Sequence, residues 1–344
     1  MRFLNSLLFP FSILYDLGTR ARNYLFDIGY KKSFDFDTRV VAVGNLSVGG
    51  TGKSPMVEYI IRKLHEKYKI TTLSRGYGRK TKGFRIATDT DNAKSIGDEP
   101  MQFYRKFGDI NVAVGEERAV AIPFILAERP ETEVIVLDDA YQHRTVLPDF
   151  NILLTDYQKP FFNDYVLPAG RLREARKGAA RADAIVVTKC PESMDENQRD
   201  MFKNEISKYS TAPVFFSGIR YLDPVHVFGE APFSGNIFLF SGIANPSKLS
   251  SYVKTQFNLL GEKHFTDHHQ YKNEDIRELN LKLQAIDAPD KGFLTTEKDM
   301  VKFLDGDFEN KFSEFPLFYL PIETYFLEDG NKFDEMLLKT LKSV

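Results

Sequence analysis

The 344-residue chain lacks several features, and their absence narrows the class of protein to which it can belong. With one cysteine, Cys190, it cannot form an intrachain disulfide, which favours a reducing cytosolic setting. Its formal net charge of −2 argues against a general nucleic-acid binder, because such proteins usually carry a strongly basic domain. It has neither internal repeats nor an apolar run of the roughly 20 residues that span a bilayer as a helix. What is present, 42% hydrophobic and 27% charged residues, is typical of a globular protein with a sizeable core.

The N-terminal segment combines apolar and basic side chains. The apolar ones include Phe3, Leu7, Leu8, Phe11 and Leu14, and Arg20 and Arg22 follow them. No small-residue cleavage site typical of a signal peptide is evident. The mixture suits an amphipathic helix that lies in a membrane interface. A helix that packs on the protein's own core is the alternative, and both interpretations stay open.

Short apolar runs alternate with longer amphipathic stretches along the rest of the chain. This alternation predicts a mostly parallel sheet that is covered on both faces by helices. The predicted buried strands are residues 40–43, 70–73, 134–137, 152–155, 184–188 and 214–216, with helices at 56–65 and 118–127. A second, shorter alternation follows, with strands at 237–240, 292–294 and 317–320 and helices that begin near 246, 273 and 297.

These patterns predict four segments. They are an N-terminal amphipathic, membrane-facing segment (1–35), a larger α/β domain (36–219), a linker rich in Pro and Gly (220–236) and a smaller α/β domain (237–344). The last helix, at 331–342, could pack on either domain.

The stretch "SVGGTGKS", residues 47–54, has the composition of a phosphate-binding loop. Such a loop needs closely spaced backbone N–H groups, which glycines allow, then a lysine for the β/γ-phosphates and a hydroxyl for Mg²⁺. Ser47 stands where the strict pattern has glycine, but a strand precedes the loop and a helix follows, as the motif requires. We therefore predict that Lys53 binds phosphate and Ser54 binds Mg²⁺. The predicted nucleotide-binding residues are Ser47, Val48, Gly49, Gly50, Thr51, Gly52, Lys53 and Ser54.

An acidic partner for this loop follows another predicted strand. Asp138 and Asp139 come directly after four apolar residues, as the magnesium-binding acid of a P-loop enzyme would. A solvated strand end is the alternative. Together, the two motifs predict a P-loop NTPase-like α/β fold that binds nucleotide phosphates and Mg²⁺, without specifying the base of the nucleotide.

Seven short motifs occur in an order that resembles the tetraacyldisaccharide 4'-kinase family. They are "GNLSVGGTGKSP", "SRGYGR" (74–79), "GDEP" (97–100), "LDDAYQH" (137–143), "GRLRE" (170–174), "FTDHH" (265–269) and "TEKD" (296–299). The resemblance runs from residue 40 to about residue 303. It implies ATP- and Mg²⁺-dependent phosphorylation of the 4'-hydroxyl of a tetraacylated disaccharide 1-phosphate in lipid A biosynthesis. The implied location is the cytosolic face of the inner membrane.

The resemblance also implies roles for individual residues. Asp98 of "GDEP" would act as the base toward the acceptor hydroxyl, paired with a histidine of "FTDHH". His268 is favoured over His269, although both stay open. Because Asp98 and His268 belong to different predicted domains, the pair could form only when the domains close over substrate. The implied substrate-binding residues are Arg75, Tyr77, Glu99, Gln142, His143, Arg171 and Arg173.

The implied partners are a membrane-embedded acylated disaccharide phosphate and the anionic lipid surface around it, with neither nucleic acid nor an obligate protein partner. The basic segments 75–82 and 171–177 are interpreted as facing that substrate or membrane, because guanidinium groups suit phosphate. A membrane-associated P-loop ATPase switch and a soluble small-molecule kinase are the competing functions.

Two motifs have simpler alternatives. The "FTDHH" residues could hold a metal ion together with His264, although metal sites usually have more carboxylates or cysteines. In "TEKD", Thr296 is expected to cap a helix by bonding back to Asp299.

Overall fold

The computed structural model describes residues 2–304, 308–312 and 314–342, with the side chains of the first helix described from Leu8 onward. The strands are β1 (Arg39–Asn45), β2 (Ile70–Ser74), β3 (Arg85–Ile86), β4 (Asn111–Val114), β5 (Val134–Asp138), β6 (Phe150–Asp156), β7 (Ala184–Thr188), β8 (Val214–Tyr221), β9 (Val225–Phe228), β10 (Asn236–Ser241), β11 (Asn258–His264), β12 (Lys291–Thr296), β13 (Leu317–Leu320) and β14 (Ile322–Phe326). The α-helices are α1 (Arg2–Asp27), α2 (Lys53–Leu64), α3 (Ala93–Ile96), α4 (Asp98–Lys106), α5 (Arg118–Glu128), α6 (Glu196–Ser207), α7 (Ser247–Gln256), α8 (Asn273–Gln284), α9 (Glu297–Met300) and α10 (Gly330–Lys342).

The larger sheet has nine strands in the order β14-β8-β7-β6-β1-β5-β2-β4-β3. Its inner strands are parallel, and β14 and β3 at the two edges are antiparallel to their neighbours. All six strands predicted in this part of the chain are present, and the predicted helices correspond to α2 and α5. Their continuous apolar runs are buried because helices cover both faces of the sheet. The P-loop NTPase-like α/β class is therefore confirmed.

The smaller sheet has five strands in the order β11-β10-β12-β13-β9. Strands β10 to β13 are parallel, and β9 pairs antiparallel with β13. Strand β9 lies within residues 220–236, the stretch that was predicted as a linker. Its sequence, "VHVF", is short and only partly buried, so little in the local pattern indicated a strand.

The end of the chain returns to the larger sheet. Strand β14 pairs with β8, and α10 buries Phe333, Leu337 and Leu341 in the same core cluster as Val41 and Ile60. Residues 322–342 therefore pack with the larger unit, although the sequence placed them in the smaller domain and left only the last helix open. We propose 36–221 with 322–342 as the larger domain and 225–320 as the smaller one.

Helix α1 docks on the larger unit by one face only. The hydroxyl of Ser12 accepts a hydrogen bond from the Ala169 amide at 2.8 Å, and Asn23 donates to Glu174 at 2.7 Å. Large apolar side chains on the helix remain exposed, namely Phe9, Phe11, Ile13, Leu14, Leu17 and Tyr24. The side chains of Phe3 and Leu7, which were predicted to contribute to this surface, lie outside those described. No helix in the described ranges combines the length and apolar character that crossing a bilayer requires.

Candidate functional site

The phosphate-binding loop connects β1 to α2. Gly49 and Gly52 have φ values of 103° and 83°, in the left-handed region that favours glycine. The Thr51 hydroxyl accepts a hydrogen bond from Asn45 at 2.7 Å, and the Thr51 carbonyl accepts one from the Thr188 hydroxyl at 2.8 Å. The loop is thus held by strands on both sides, and the N-terminus of α2 faces it. A helix N-terminus with free N–H groups is suited to phosphate.

A charged triad lies beside the start of α2. Nζ of Lys53 is 3.6 Å from Oδ1 of Asp139, and Nη1 of Arg173 is 3.0 Å from each of the two Asp139 carboxylate oxygens. Burial pushes the pKa of Asp139 upward, but the positive charges of Lys53 and Arg173 outweigh it and hold that pKa below its ordinary value. Asp139 is therefore an ionised anchor for both cations.

Asp138 is the last residue of β5 and has the opposite character. Burial, and then the negative charges of Glu99 and Asp139, raise the pKa of Asp138 to about 7. Its Oδ1 atom is buried and has no hydrogen-bond partner within the described part of the chain. A carboxylate oxygen of this kind fits Mg²⁺, and the neighbouring Asp139 lies 3.6 Å from Lys53 at the end of the phosphate-binding loop. That ion is usually held by one or two carboxylates together with phosphate oxygens and water.

An aspartate–histidine pair forms between the two units. Asp98 is the first residue of α4 and is 3% exposed. Nδ1 of His268 lies 3.1 Å from Oδ2 of Asp98, although 170 residues separate the two positions in the chain. The structure therefore holds the two domains in the arrangement in which this pair exists.

The other two histidines near this motif face elsewhere. Nε2 of His269 is 2.9 Å from Asp275, and its ring stacks on Phe265. His264 lies between the hydroxyls of Ser241 and Ser250, at 3.0 and 3.1 Å. Among the described residues, no group of three or more His, Cys, Asp and Glu side chains is placed to hold a metal ion. Of the two candidates, it is His268 that contacts Asp98.

Two lysines of the smaller unit complete the surroundings of the pair. Nζ of Lys298 is 3.1 Å from Nε2 of His268, and Nζ of Lys302 is 3.4 Å from Oδ2 of Asp98. The sequence did not single out either lysine, although Lys298 belongs to "TEKD" and Lys302 follows four residues later, a spacing that puts both on one side of a helical turn. The expected cap at the start of α9 is confirmed, because the Thr296 hydroxyl accepts from the Asp299 amide at 3.1 Å.

One cavity joins these elements. It has a volume of about 330 Å³, and its lining residues are Ser74, Arg75, Gly76, Tyr77, Glu99, Pro100, Asp138, Asp139, Arg173 and His268. Four of the predicted substrate-binding residues line this cavity: Arg75, Tyr77, Glu99 and Arg173. Both the acidic end of β5 and the His268 side of the Asp98–His268 pair therefore open into the same space.

Three other predicted substrate-binding residues do not line this cavity, although Gln142 accepts a hydrogen bond at 3.3 Å from Arg173, which does. Gln142 donates to the Asn45 carbonyl at 2.9 Å, and Arg171 pairs with Asp164 at 2.9 Å. His143 lines a second cavity, where burial, and then the charge of a nearby arginine, lower its pKa to about 4.

The basic segment at 75–82 is also partly internal. The Arg79 side chain is 3% exposed and pairs with Glu116 at 2.6 Å. The expectation that this segment faces substrate or membrane is therefore wrong for Arg79, because that side chain ties the loop to the protein.

Comparison with known proteins agrees with this geometry. Residues 4–342 match the family model described as Tetraacyldisaccharide-1-P 4'-kinase. The tetraacyldisaccharide 4'-kinase of Flavobacterium psychrophilum is 43% identical, over 100% of this chain and 98% of the relative. The protein of the same name from Flavobacterium johnsoniae is 42% identical, over 99% and 98% of the two chains.

A solved structure is similar over the same range. The chain superposes on LpxK from Aquifex aeolicus in complex with ATP with a TM-score of 0.78 and 29% sequence identity. The match covers 98% of this chain and 99% of that one, so it includes both sheets and the cavity between them.

Proposed function

The chain belongs to the tetraacyldisaccharide-1-P 4'-kinase family, and we propose that the cavity described above is where it transfers the γ-phosphoryl group of ATP to the 4'-hydroxyl of a tetraacyldisaccharide 1-phosphate. ATP and Mg²⁺ are the cofactors of this lipid A kinase. One observation carries the assignment of roles. Asp139, which pairs with Lys53, and His268, which contacts Asp98, line the same cavity.

In this proposal, the phosphate-binding loop and the end of β5 bind ATP and Mg²⁺. Backbone N–H groups of residues 47–52 and the N-terminus of α2 bind the phosphates, and Lys53 neutralises their charge. Ser54 and Asp138 would hold Mg²⁺, which would supply positive charge to offset the negative charge that develops during transfer. Asp139 keeps Lys53 and Arg173 directed at this position through its two ion pairs.

Asp98 acts on the acceptor hydroxyl. Its carboxylate accepts a hydrogen bond from the 4'-hydroxyl and takes the proton as the new oxygen–phosphorus bond forms. His268 orients that carboxylate. Arg75 and Tyr77 are exposed at the cavity, where the guanidinium group suits a substrate phosphate.

Turnover with labelled ATP tests these roles. The full-length enzyme, ATP labelled in the γ-phosphate and tetraacyldisaccharide 1-phosphate in detergent should give label at the 4' position. Asp98→Asn should lower kcat by roughly 10²- to 10⁴-fold, the contribution of a positioned general base. Asp275→Asn is a matched control, because Asp275 forms the other aspartate–histidine pair of the smaller unit at 2.9 Å.

The outcomes separate the competing functions. ADP release that does not depend on the lipid acceptor would favour an ATPase switch. Equal loss in Asp98→Asn and Asp275→Asn would contradict the role given to Asp98.

We propose further that α1 binds the enzyme to the anionic surface of the inner membrane on its cytosolic side. The exposed apolar face of α1 supports this, since Leu14 is 67% exposed and Leu17 is 58% exposed. The opposite face contacts the site, because the Tyr15 hydroxyl donates to the Arg173 carbonyl at 3.3 Å and Arg22 donates to the Gln142 carbonyl at 2.7 Å. A helix with one face in lipid and the other on the site would let the acyl chains stay in the bilayer while the sugar reaches Asp98.

Vesicle sedimentation tests the membrane proposal. The double variant Leu14→Glu/Leu17→Glu should bind phosphatidylglycerol-containing vesicles more weakly than the wild type, because two apolar side chains no longer insert. Leu281→Glu is the matched control, since Leu281 is 57% exposed on α8. Binding should also weaken as salt rises, since basic residues such as Arg20 meet anionic headgroups. Equal sedimentation of the double variant and the control would contradict the proposal.

A further inference from the structure

The environment of the His268 ring fixes where its proton sits. Nδ1 is 3.1 Å from Oδ2 of Asp98, and Nε2 is 3.1 Å from Nζ of Lys298. We infer that Lys298 is a positioning residue that holds His268 as the neutral Nδ1–H tautomer, with that proton donated to Asp98. The inference rests on the proposed role of Asp98 and His268 and adds to it the residue that sets their hydrogen-bond direction.

The hydrogen-bonding capacities of lysine and histidine determine which ring nitrogen carries the proton. A lysine ammonium group has three donors and no acceptor, so the ring atom that it contacts must be an unprotonated nitrogen. The neutral imidazole then carries its proton on the other nitrogen, Nδ1, which faces the Asp98 carboxylate and donates to it. The ring is further held by Tyr77, whose ring centroid lies 4.9 Å away.

Lys298 itself is fixed by two carboxylates. Its Nζ lies 3.7 Å from Oε1 of Glu99 and 3.6 Å from Oδ1 of Asp267, and its side chain is only 20% exposed. These contacts hold the ammonium group beside the ring.

A competing acceptor exists on the Nε2 side. Oδ2 of Asp267 is 4.0 Å from Nε2 of His268, close enough to attract a proton onto that nitrogen if Lys298 were removed. With carboxylates near both nitrogens, the ring would then favour either the imidazolium or the Nε2–H tautomer. Lys298 occupies the Nε2 side of the ring and so prevents Asp267 from accepting a proton from that nitrogen.

The consequence for the reaction concerns the two oxygens of Asp98. His268 and Lys302 both contact Oδ2, at 3.1 and 3.4 Å. Oδ1 is thus the oxygen for the acceptor hydroxyl. The proton passes from the 4'-hydroxyl to Oδ1 as the oxygen–phosphorus bond forms, and the bond from the γ-phosphorus to ADP breaks with its electron pair leaving on ADP. A His268 that already donates from Nδ1 cannot accept this proton there, so it orients Asp98 instead.

Nitrogen NMR of the histidine ring tests the tautomer directly. The full-length enzyme is labelled with ¹⁵N-histidine, and the signal of His268 is assigned among the six histidines as the one lost in His268→Gln. The wild type should show a protonated Nδ1 and an unprotonated Nε2. Lys298→Met should shift the ring to imidazolium or to Nε2–H, whereas Lys298→Arg, which also only donates, should retain the wild-type pattern. Lys282→Met, at an exposed lysine of α8, should leave the His268 signal unchanged.

Kinetics provides a second measurement. Lys298→Met should lower kcat by roughly tenfold, part of the ~10²- to 10⁴-fold that a positioned base contributes, with little change in KM for ATP. In the His268→Gln background, the same substitution should have almost no further effect on kcat.

Two results would overturn the inference. One is a wild-type His268 protonated on Nε2, and the other is a tautomer that stays unchanged in Lys298→Met. Neither depends on turnover. The proposed function would instead fail if Asp98→Asn kept full 4'-phosphorylation, so the two failures are distinguishable.

Discussion

A buried ionic cluster joins the two units behind the active site and supports a quantitative prediction. Nζ of Lys106 on α4 is 2.8 Å from Glu58 on α2 and 2.8 Å from Glu297 on α9. The side chains of Glu58 and Glu297 are 1% and 5% exposed, and Gln102 donates to the second oxygen of Glu58 at 2.7 Å. The three helices begin at or beside Lys53, Asp98 and Lys298, so this cluster sets the relative position of side chains that belong to the candidate site.

We predict that Lys106→Met destabilises the fold in a pH-dependent way. The substitution keeps a similar length but leaves buried Glu297 without its paired cation, while Glu58 keeps its contact with Arg62, at 3.4 Å. Removing one partner of a buried ion pair typically costs about 3–5 kcal/mol. Burial, and then the charge of Glu58, already raise the pKa of Glu297, while Lys106 opposes the rise. Loss of Lys106 should raise that pKa further.

The raised pKa of Glu297 determines how the stability of the variant changes with pH. A carboxyl whose pKa is higher in the folded than in the unfolded state supports folding fully below its ordinary value of about 4.3, and loses that support as pH rises through the folded-state value. The pKa of Lys106 is raised, because Glu58 and Glu297 outweigh the effect of its burial, so its own contribution is present throughout the neutral range. The variant should therefore lose most stability near pH 8 and recover part of it near pH 5.

Urea unfolding followed by circular dichroism at both pH values measures the effect. Lys208→Met is the matched control, since Lys208 pairs with Glu205 at an exposed site and such pairs contribute at most about 1 kcal/mol. Adding Glu297→Gln to Lys106→Met should restore part of the loss near pH 8, because one buried charge is removed. Equal unfolding free energies for the Lys106 and Lys208 variants near pH 8 would refute the reasoning.

Two further predictions concern catalysis. Lys53→Ala should lower turnover by orders of magnitude while the far-UV circular dichroism spectrum persists. Lys63→Ala is the control and should stay active, because Lys63 lies at the far end of the same helix and pairs with Asp334. Full activity of folded Lys53→Ala would exclude the phosphate role. Asp98→Ala and His268→Ala should each lower kcat far more than they weaken ATP binding, and the double variant should be little worse than the worse single one, since groups that act as a unit are non-additive. Multiplicative losses in that cycle would mean that the two residues work separately.

Local features of the chain were predictable because their physical cause is local. The strands of the larger sheet appear as continuous apolar runs, since a parallel strand covered on both faces must be apolar on both sides. The phosphate loop is a contiguous peptide whose glycines adopt φ values that other residues avoid. The Thr296 cap likewise depends on atoms only three residues apart.

Features that depend on contacts between distant segments were not predictable from such patterns. Nothing in "VHVF" or in residues 322–326 indicates a partner strand, because pairing is decided by which edge of a sheet is open in the folded chain. Helix α1 illustrates the same limit. Its composition allowed both packing and lipid contact, and only the docked position of Ser12 and Asn23 decided which face is covered.

In the candidate site, too, some features were predictable from the sequence and others were decided by the tertiary structure. The sequence alone determined the fold class, the loop from Ser47 to Ser54 and, through resemblance, the pairing of Asp98 with a histidine of one motif. Tertiary structure decided that this histidine is His268, because the neighbouring His269 ring is held by Asp275 and Phe265. It also brought Lys298 to the ring, which no local pattern could do, since hydrogen-bond direction is set by the side chains that meet in space and not by their order along the chain.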